Sequence, residues 1–467
     1  MTPSPTQSPT VAIAGGGLAG LAAGVALSGA GFRVTLFERR PYLGGRASSY
    51  QHPGTGEIVD NCQHVLLGCC TNLIDFYRRT GAEQHIRWYD ELTFLEPGGR
   101  ASKIRPSALP APLHAGPAFL RARCLNLADK LSIGRAMAAL APAIPAEQGE
   151  TFLAWLQRHG QTTQAIERFW KTILVSALNE DLDRVSVPYA AQVVRESFLK
   201  SAAAGRMGIP TIPLSDLYNA AGDTICSRAG EVEFRSGVES FHASPSGVDV
   251  LINGQARTFD YLVLAVPFDV LVRLLPDSAA PASLVEMLNR FETSPITGIH
   301  LWLDRSISDL DHAVLLDRTI QWMFHKSRLI AARENGDGSY VELVVSSSRS
   351  LVEKSRGEIV ELAVRELAEF FPAAREAKLV KSTVIKEVHA TYSPCPGVDA
   401  YRPRPETAWP RVFLAGDFVA TGWPATMEGA VRSGYLAAEA LLRVAEVPDT
   451  RFLVPDLAGR GLMRFFR

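Results

Sequence analysis

A chain of 467 residues that is 47% hydrophobic exceeds what one compact core accommodates, so at least two domains are expected. Charged residues make up 21% and the formal net charge is -1, which excludes nucleic-acid binding driven by a basic surplus and leaves small molecules as the expected partners. The 6 cysteines form no CxxC pair, which excludes a zinc-ribbon or thioredoxin-type motif and reads as buried free thiols in a reducing cytoplasm.

In chain order, residues 1–10 are rich in Pro, Ser and Thr and predict a disordered lead-in without the charged and apolar regions of a secretory signal. Val11–Ala14 is a short apolar strand. Leu18–Ala30 is small, apolar and helix-like, and it stops at Gly31. Arg33–Glu38 is a second strand with β-branched residues, so the chain opens with a βαβ unit on a parallel sheet. From Pro106 to Pro145 the pattern turns helical, with arginines among the apolar residues, and it continues through Thr151–Leu178 and Pro188–Ala204. Between Gly230 and Val266 the period returns to two, giving strands in VEFRSGV, GVDVLING and YLVLAVP. Strands at 296–303, 340–348 and 379–392 surround a helix near Gly357–Phe370, whose Ile359, Leu362, Ala363 and Leu367 share one face. Val412–Ala415 is a late strand, followed by a helix from about Thr426 to Leu442. No run approaches the ~20 apolar residues of a spanning helix, so the chain is expected in solution or on one membrane face.

Gly15-x-Gly17-x-x-Gly20 follows a strand and opens a helix. Gly15 allows a tight turn, Gly17 lets backbone approach a pyrophosphate, and Gly20 lets helix pack on strand. Leu18 and Ala19 lie between these glycines, where free helix N–H groups face phosphates. Glu38 ends the second strand 18 residues after Gly20, close to the ~20 expected for an acid on a ribose 2′-hydroxyl. An acid there disfavours a 2′-phosphate, but the motif alone does not separate FAD from NAD.

After Glu38 the chain reads Arg39, Arg40, Pro41, Tyr42, Leu43, Gly44, Gly45, Arg46. The two glycines let it run along a cofactor, with Arg46 near phosphate or flavin carbonyls; the plain alternative is a surface turn. Near the other end, an apolar strand runs into Gly416 and Asp417, and a helix starts at Met427. A helix N-terminus stabilises negative charge on a reduced ring, and Asp417 suits a ribityl hydroxyl. Here the alternative is a capped strand–loop–helix with no ligand.

Together, the glycine cradle, Glu38-x(6)-Gly45-Arg46 and LAGD…MEGAVRSG resemble the flavin amine-oxidase and phytoene-desaturase superfamily. More narrowly, DNCQHVLLGCCTNL (60–73) with GDFVATGWPATMEGAVRSG is similar to the hydroxysqualene dehydroxylases of bacterial squalene and hopanoid synthesis. The resemblance implies an α/β fold: a discontinuous GR-type Rossmann-like FAD-binding domain (1–75, 212–290, 395–445) and an α+β substrate domain (76–211, 291–394). Residues 106–211 would form a helical, membrane-facing subdomain, and 446–467 a tail. It implies non-covalent FAD held by Gly15, Gly17, Leu18, Ala19, Gly20, Glu38, Arg39, Gly45, Arg46, Val238, Gly416, Asp417, Met427 and Ala430, with Val238 at adenine. Cys395, upstream of the C-terminal motif in a proline-rich turn, is not expected to attach FAD. No metal site is expected.

The implied reaction removes the allylic hydroxyl of hydroxysqualene and delivers hydride from reduced flavin, giving squalene. The protein must protonate the leaving oxygen and exclude water. Asp60, His64 and Glu428 are the candidate proton donors; Asn61 and Gln63 are candidate substrate contacts. The plainer alternative makes Asn61, Gln63 and His64 hydrogen-bond partners around the flavin. No second dinucleotide fingerprint appears, so the electron donor is left open. The rival readings are a carotenoid-type desaturase, which runs hydride the other way, a flavin amine oxidase, and a flavin-binding protein without turnover. A long isoprenoid substrate calls for peripheral contact with the inner membrane, and two segments suit it: Leu113–Leu140 and the tail RFLVPDLAGRGLMRFFR, of which the tail is preferred.

Overall fold

The computed structural model describes residues 8–276, 282–330, 338–448 and 450–466. Most of the expected lead-in, residues 1–7, lies outside them. The first strand (Thr10–Ala14), the cradle helix (Leu18–Gly29) and the second strand (Arg33–Glu38) form the βαβ unit that the sequence predicts. They belong to a five-stranded parallel sheet ordered 231–234, 33–38, 10–14, 261–264, 412–414. The near-continuous apolar runs of its central strands follow from cover on both faces, by helices on one and by the antiparallel strands of 238–259 on the other. The cradle helix packs between this sheet and the long C-terminal helix (Met427–Val444). The two chain ends therefore share one core containing Val11, Leu21, Val34, Val431 and Tyr435.

A seven-stranded sheet of mixed pairing, ordered 379–392, 293–303, 339–346, 322–325, 312–315, 92–95, 101–104, builds the second layer. Helix Arg356–Phe370 covers one face through Ile359, Ala363, Leu367 and Phe370. A capping box sets its start: the Ser355 side chain accepts from the Glu358 N–H, and the Glu358 side chain accepts from the Ser355 N–H.

Three expectations are corrected. VEFRSGV is not one strand. Its first half, Glu231–Phe234, joins the parallel sheet, and Arg235 then turns into the left-handed region (φ 55), so Val238 starts a separate antiparallel ribbon of 238–243, 248–252 and 255–259. The long helical stretches are also segmented. Gly160, with φ 64, separates helix Phe152–Arg158 from the helices beyond it, and π-turns interrupt the pattern at Ile166–Lys171 and Arg195–Leu199. A π-turn inserts an extra residue per turn and shifts side-chain direction, a device common at functional sites. The thiols also differ from expectation, since Cys226 is exposed and Cys70 and Cys395 are half-buried; all 6 are free.

Candidate active site

One cavity of about 500 Å³ runs between the two sheets. Its upper wall is the glycine cradle. The Gly16 N–H donates to Glu38 Oε2 at 2.8 Å, and the Arg40 N–H donates to Glu38 Oε1 at 2.8 Å, so the carboxylate is fixed at the lip of the sheet. Gly15 has φ +110, and a Cβ there would lie 2.5 Å from the Ala265 carbonyl oxygen. Gly17 and Gly44 pair as an isolated bridge, with the Gly44 N–H donating to the Gly16 carbonyl at 2.9 Å. The segment after Glu38 is thus no free surface turn. It lies against the phosphate loop, and Gly15, Gly17, Leu18, Ala19, Glu38, Arg39, Gly45, Arg46 and Val238 all line the cavity. Gly20 sits behind it, at the helix–sheet crossing.

The C-terminal segment closes the same cavity. Arg46 Nη2 meets Asp417 Oδ1 at 2.8 Å across 371 residues of sequence, and Arg46 Nη1 donates to the Ala390 carbonyl. Gly416, Asp417, Met427 and Ala430 line the opposite wall, so the N-terminus of the last helix opens onto the cavity, its Thr426 side chain capping the Gly429 N–H. Both glycine-bearing ends therefore surround one elongated space with an acid at its ribose end and an arginine midway. A Cβ at Gly15 would collide with the Ala265 backbone, so only glycine lets the chain turn here, and the N–H groups it presents match a dinucleotide pyrophosphate. Cys395 is outside the lining and contacts Ser393 and Arg184 instead.

A βαβ phosphate cradle closed by a distant Gly-Asp strand end and helix defines an FAD-dependent oxidoreductase. The profile of the flavin-containing amine oxidoreductases matches residues 18–442, and the chain belongs to that family. Among curated proteins it is 26% identical to 15-cis-phytoene desaturase of Glycine max, with 96% of this chain and 82% of that one covered. It is likewise 26% identical to 15-cis-phytoene desaturase of Synechococcus elongatus (92% and 95% covered). Among solved structures, putrescine oxidase bound to putrescine superposes with a TM-score of 0.71 at 19% identity, covering 94% of this chain and 100% of that one.

The candidate acids and amides fare unevenly. His64 and Gln63 line the cavity. His64 Nδ1 lies 2.7 Å from the Cys62 carbonyl, which fixes the Nδ1–H tautomer, and burial pushes its pKa down, so the ring is neutral and a poor proton source near pH 7. Asp60 is corrected: it does not reach the cavity, because Lys326 Nζ (2.5 Å), the Ser49 hydroxyl (2.5 Å) and the Leu214 N–H engage it. Asn61 is corrected likewise, its amide donating to the Arg46 carbonyl and to Glu387. Glu428 borders the cavity, but both its oxygens are occupied. They accept from the Asn72 and Leu73 N–H groups, the Asn72 side chain and Arg432, so it caps helix Thr71–Arg79 from a distant element.

Glu196 is the carboxyl that sequence reasoning missed. It is buried in the cavity wall on the second π-turn, 2.7 Å from Lys200 Nζ, and burial raises its pKa despite that lysine. In sequence it reads as an ordinary Glu–Lys i,i+4 surface pair; the apolar residues beside it are the one sequence signal that points the other way.

Below the cavity floor lies a closed charge cluster. Lys326, 2% exposed, donates to Asp60 and to Gln63 Oε1 (2.8 Å) and faces Glu342 at 3.4 Å. Burial pushes Glu342 up to about 7, and neither of its oxygens has a hydrogen-bond partner among the described residues. A carboxyl raised from 4.5 stabilises the fold fully below its unfolded value, and that contribution is lost as pH rises to about 7. Glu342→Gln should therefore raise the melting temperature at pH 8, by up to about 3 kcal/mol of stability, and change little at pH 5. A lower melting temperature at pH 8 would show that Lys326 requires this carboxylate.

Proposed function

We propose that the chain is a desaturase-type enzyme that moves hydride between FAD and a long isoprenoid hydrocarbon. The observation that carries this is the wall continuing from the cradle, where Leu92, Phe94, Ile173, Val314, Phe324 and Val344 line the cavity with carbon. Such a wall gains from burying an extended apolar chain and offers little to a small charged amine. The curated relatives are named 15-cis-phytoene desaturase and probable zeta-carotene desaturase, which supports the same substrate class. Bound FAD supplies the group that accepts or delivers hydride. The cradle and the Arg46–Asp417 pair would hold it, and the apolar wall would exclude water from the reacting carbon.

A second reading, reductive removal of the allylic hydroxyl of hydroxysqualene to give squalene, is favoured by Glu196. A buried carboxyl in this wall, whose pKa burial raises, can donate a proton to the leaving oxygen as the allylic C–O bond breaks; water departs, and the carbon takes up hydride from reduced flavin. Desaturation needs no such acid.

Anaerobic incubation in both directions tests these readings. Oxidised enzyme with phytoene should bleach and yield a more unsaturated product under the first reading; reduced enzyme with hydroxysqualene should yield squalene under the second. Glu196→Gln should lower dehydroxylation by roughly 100-fold or more and leave desaturation unchanged. Hydrogen peroxide from amines, with neither isoprenoid consumed, would overturn both.

A further inference from the structure

The exposed large apolar side chains are unevenly distributed. Leu109, Leu113, Leu120, Leu127, Leu131 and Ile144 come from one segment, and Leu462, Phe465 and Phe466 from the tail. Leu127 and Leu131 are 68% and 61% exposed on helix Leu127–Leu140, whose opposite face buries Ile133, Ala136 and Leu140. Nearby, Lys130 Nζ donates to the Leu120 carbonyl, tying that helix to Gly116–Arg121.

The two segments, more than 300 residues apart in sequence, are stitched together. The Leu462 N–H donates to the Ala111 carbonyl at 2.8 Å, and the Arg460 N–H donates to the Lys200 carbonyl at 2.8 Å. Met463, 1% exposed, plugs into the core cluster that holds Ala111, Ile133 and Leu140. Its neighbours Leu462, Phe465 and Phe466 therefore emerge beside the exposed leucines.

Charge follows the same surface. Residues 101–146 carry Arg105, Arg121, Arg123, Lys130 and Arg135, besides Lys103 that pairs with Glu91, against a single acid, Asp129, which is buried. The tail from Arg451 adds Arg460 and Arg464 against Asp456, which pairs with Arg432. The chain as a whole is -1, so this concentration of cations is local. Protruding leucines and phenylalanines ringed by arginines match an anionic bilayer, into which apolar tips insert while guanidinium groups meet the headgroups.

We propose that the 109–144 segment and the C-terminal tail form one composite face that docks on an anionic phospholipid surface. The face lies on the surface rather than across it: no helix among the described residues is long and apolar enough to cross a membrane. The proposal is independent of the substrate reading.

The full-length protein with FAD would be sedimented with vesicles of phosphatidylglycerol and phosphatidylcholine in equal parts, and with phosphatidylcholine vesicles alone. The mixed vesicles should retain it and the zwitterionic ones should release most of it. Leu127→Ser with Leu131→Ser, and separately Phe465→Ser with Phe466→Ser, should each weaken retention at least tenfold with the flavin spectrum unchanged, because each pair removes two of the protruding apolar tips from one of the two segments. Wild-type protein that stays in the supernatant would overturn the proposal, as would retention unaltered in either double variant. A dimer in light scattering that both variants convert to monomer, without vesicle binding, would assign the face to a second copy of the chain instead.

Discussion

Gly20→Ala is expected to yield a protein that takes up FAD roughly 10- to 100-fold more weakly than wild type. A Cβ at Gly20 would sit 2.0 Å from the Gly15 carbonyl oxygen and 3.2 Å from Ala265 Cβ. Neither neighbour can retreat. The Gly15 N–H is bonded to the Phe37 carbonyl at 2.8 Å, and Gly15 is already pressed against the next strand. Nor can the cradle helix shift outward, because a Cβ at Gly434 on the last helix would lie 2.3 Å from the Ala19 carbonyl, leaving no slack on that side. Overpacking of this kind costs about 1–3 kcal/mol, and each 1.4 kcal/mol is about tenfold in affinity. Titrating apo-protein with FAD by flavin fluorescence quenching measures the effect. Gly134→Ala serves as control: it lies in a helix where an added Cβ meets nothing within 4 Å, and it should bind FAD normally with up to about 1 kcal/mol of added stability. Unchanged affinity in Gly20→Ala would mean that the helix–sheet contact does not set the phosphate loop.

The cradle was legible because its chemistry is local: three glycines, a helix and a terminal acid fall within one βαβ unit. Strand 379–392 was equally plain, since fourteen residues with a β-branched pattern have few other folds open to them. The seam between the two ends was anticipated from Gly416-Asp417, but the direct Arg46–Asp417 pair was not, since each residue was assigned to the cofactor. What stayed hidden are pairings between distant charges. Lys326 follows a strand and reads as a surface cation, yet it is buried against Asp60, 266 residues away. Glu428 looked like a candidate acid because it lies in the C-terminal motif; its work is to satisfy the first amides of a helix that sequence places far upstream. Glu196 hid inside a helical pattern that a π-turn rotates toward the cavity. Periodicity reports which face of an element is apolar, not which distant partner a buried charge finds.

Lys326→Met should destabilise the protein by about 3–5 kcal/mol, the usual cost of breaking a buried ion pair by removing one partner. Methionine fills the space but leaves Asp60 (4% exposed) and Glu342 (0%) facing each other without a cation. In the wild type, burial works against the Asp60 charge, but Lys326 and the hydrogen bonds from Ser49 and Leu214 outweigh it and hold the pKa below the ordinary value. Without Lys326 that balance reverses, and both carboxyls are pushed upward. Stability should then recover as pH falls and the two groups take up protons, so the deficit in urea midpoint should be smaller at pH 5 than at pH 8. The triple variant Lys326→Met, Asp60→Asn, Glu342→Gln should regain most of the loss, because no uncompensated charge remains. Gln63, which also accepts from Lys326, lines the cavity floor, so the single variant should bind apolar substrate more weakly even where it is folded. A single variant whose midpoint matches wild type at pH 8 would show that water reaches these carboxylates, and that the cluster does not hold the floor beneath the site.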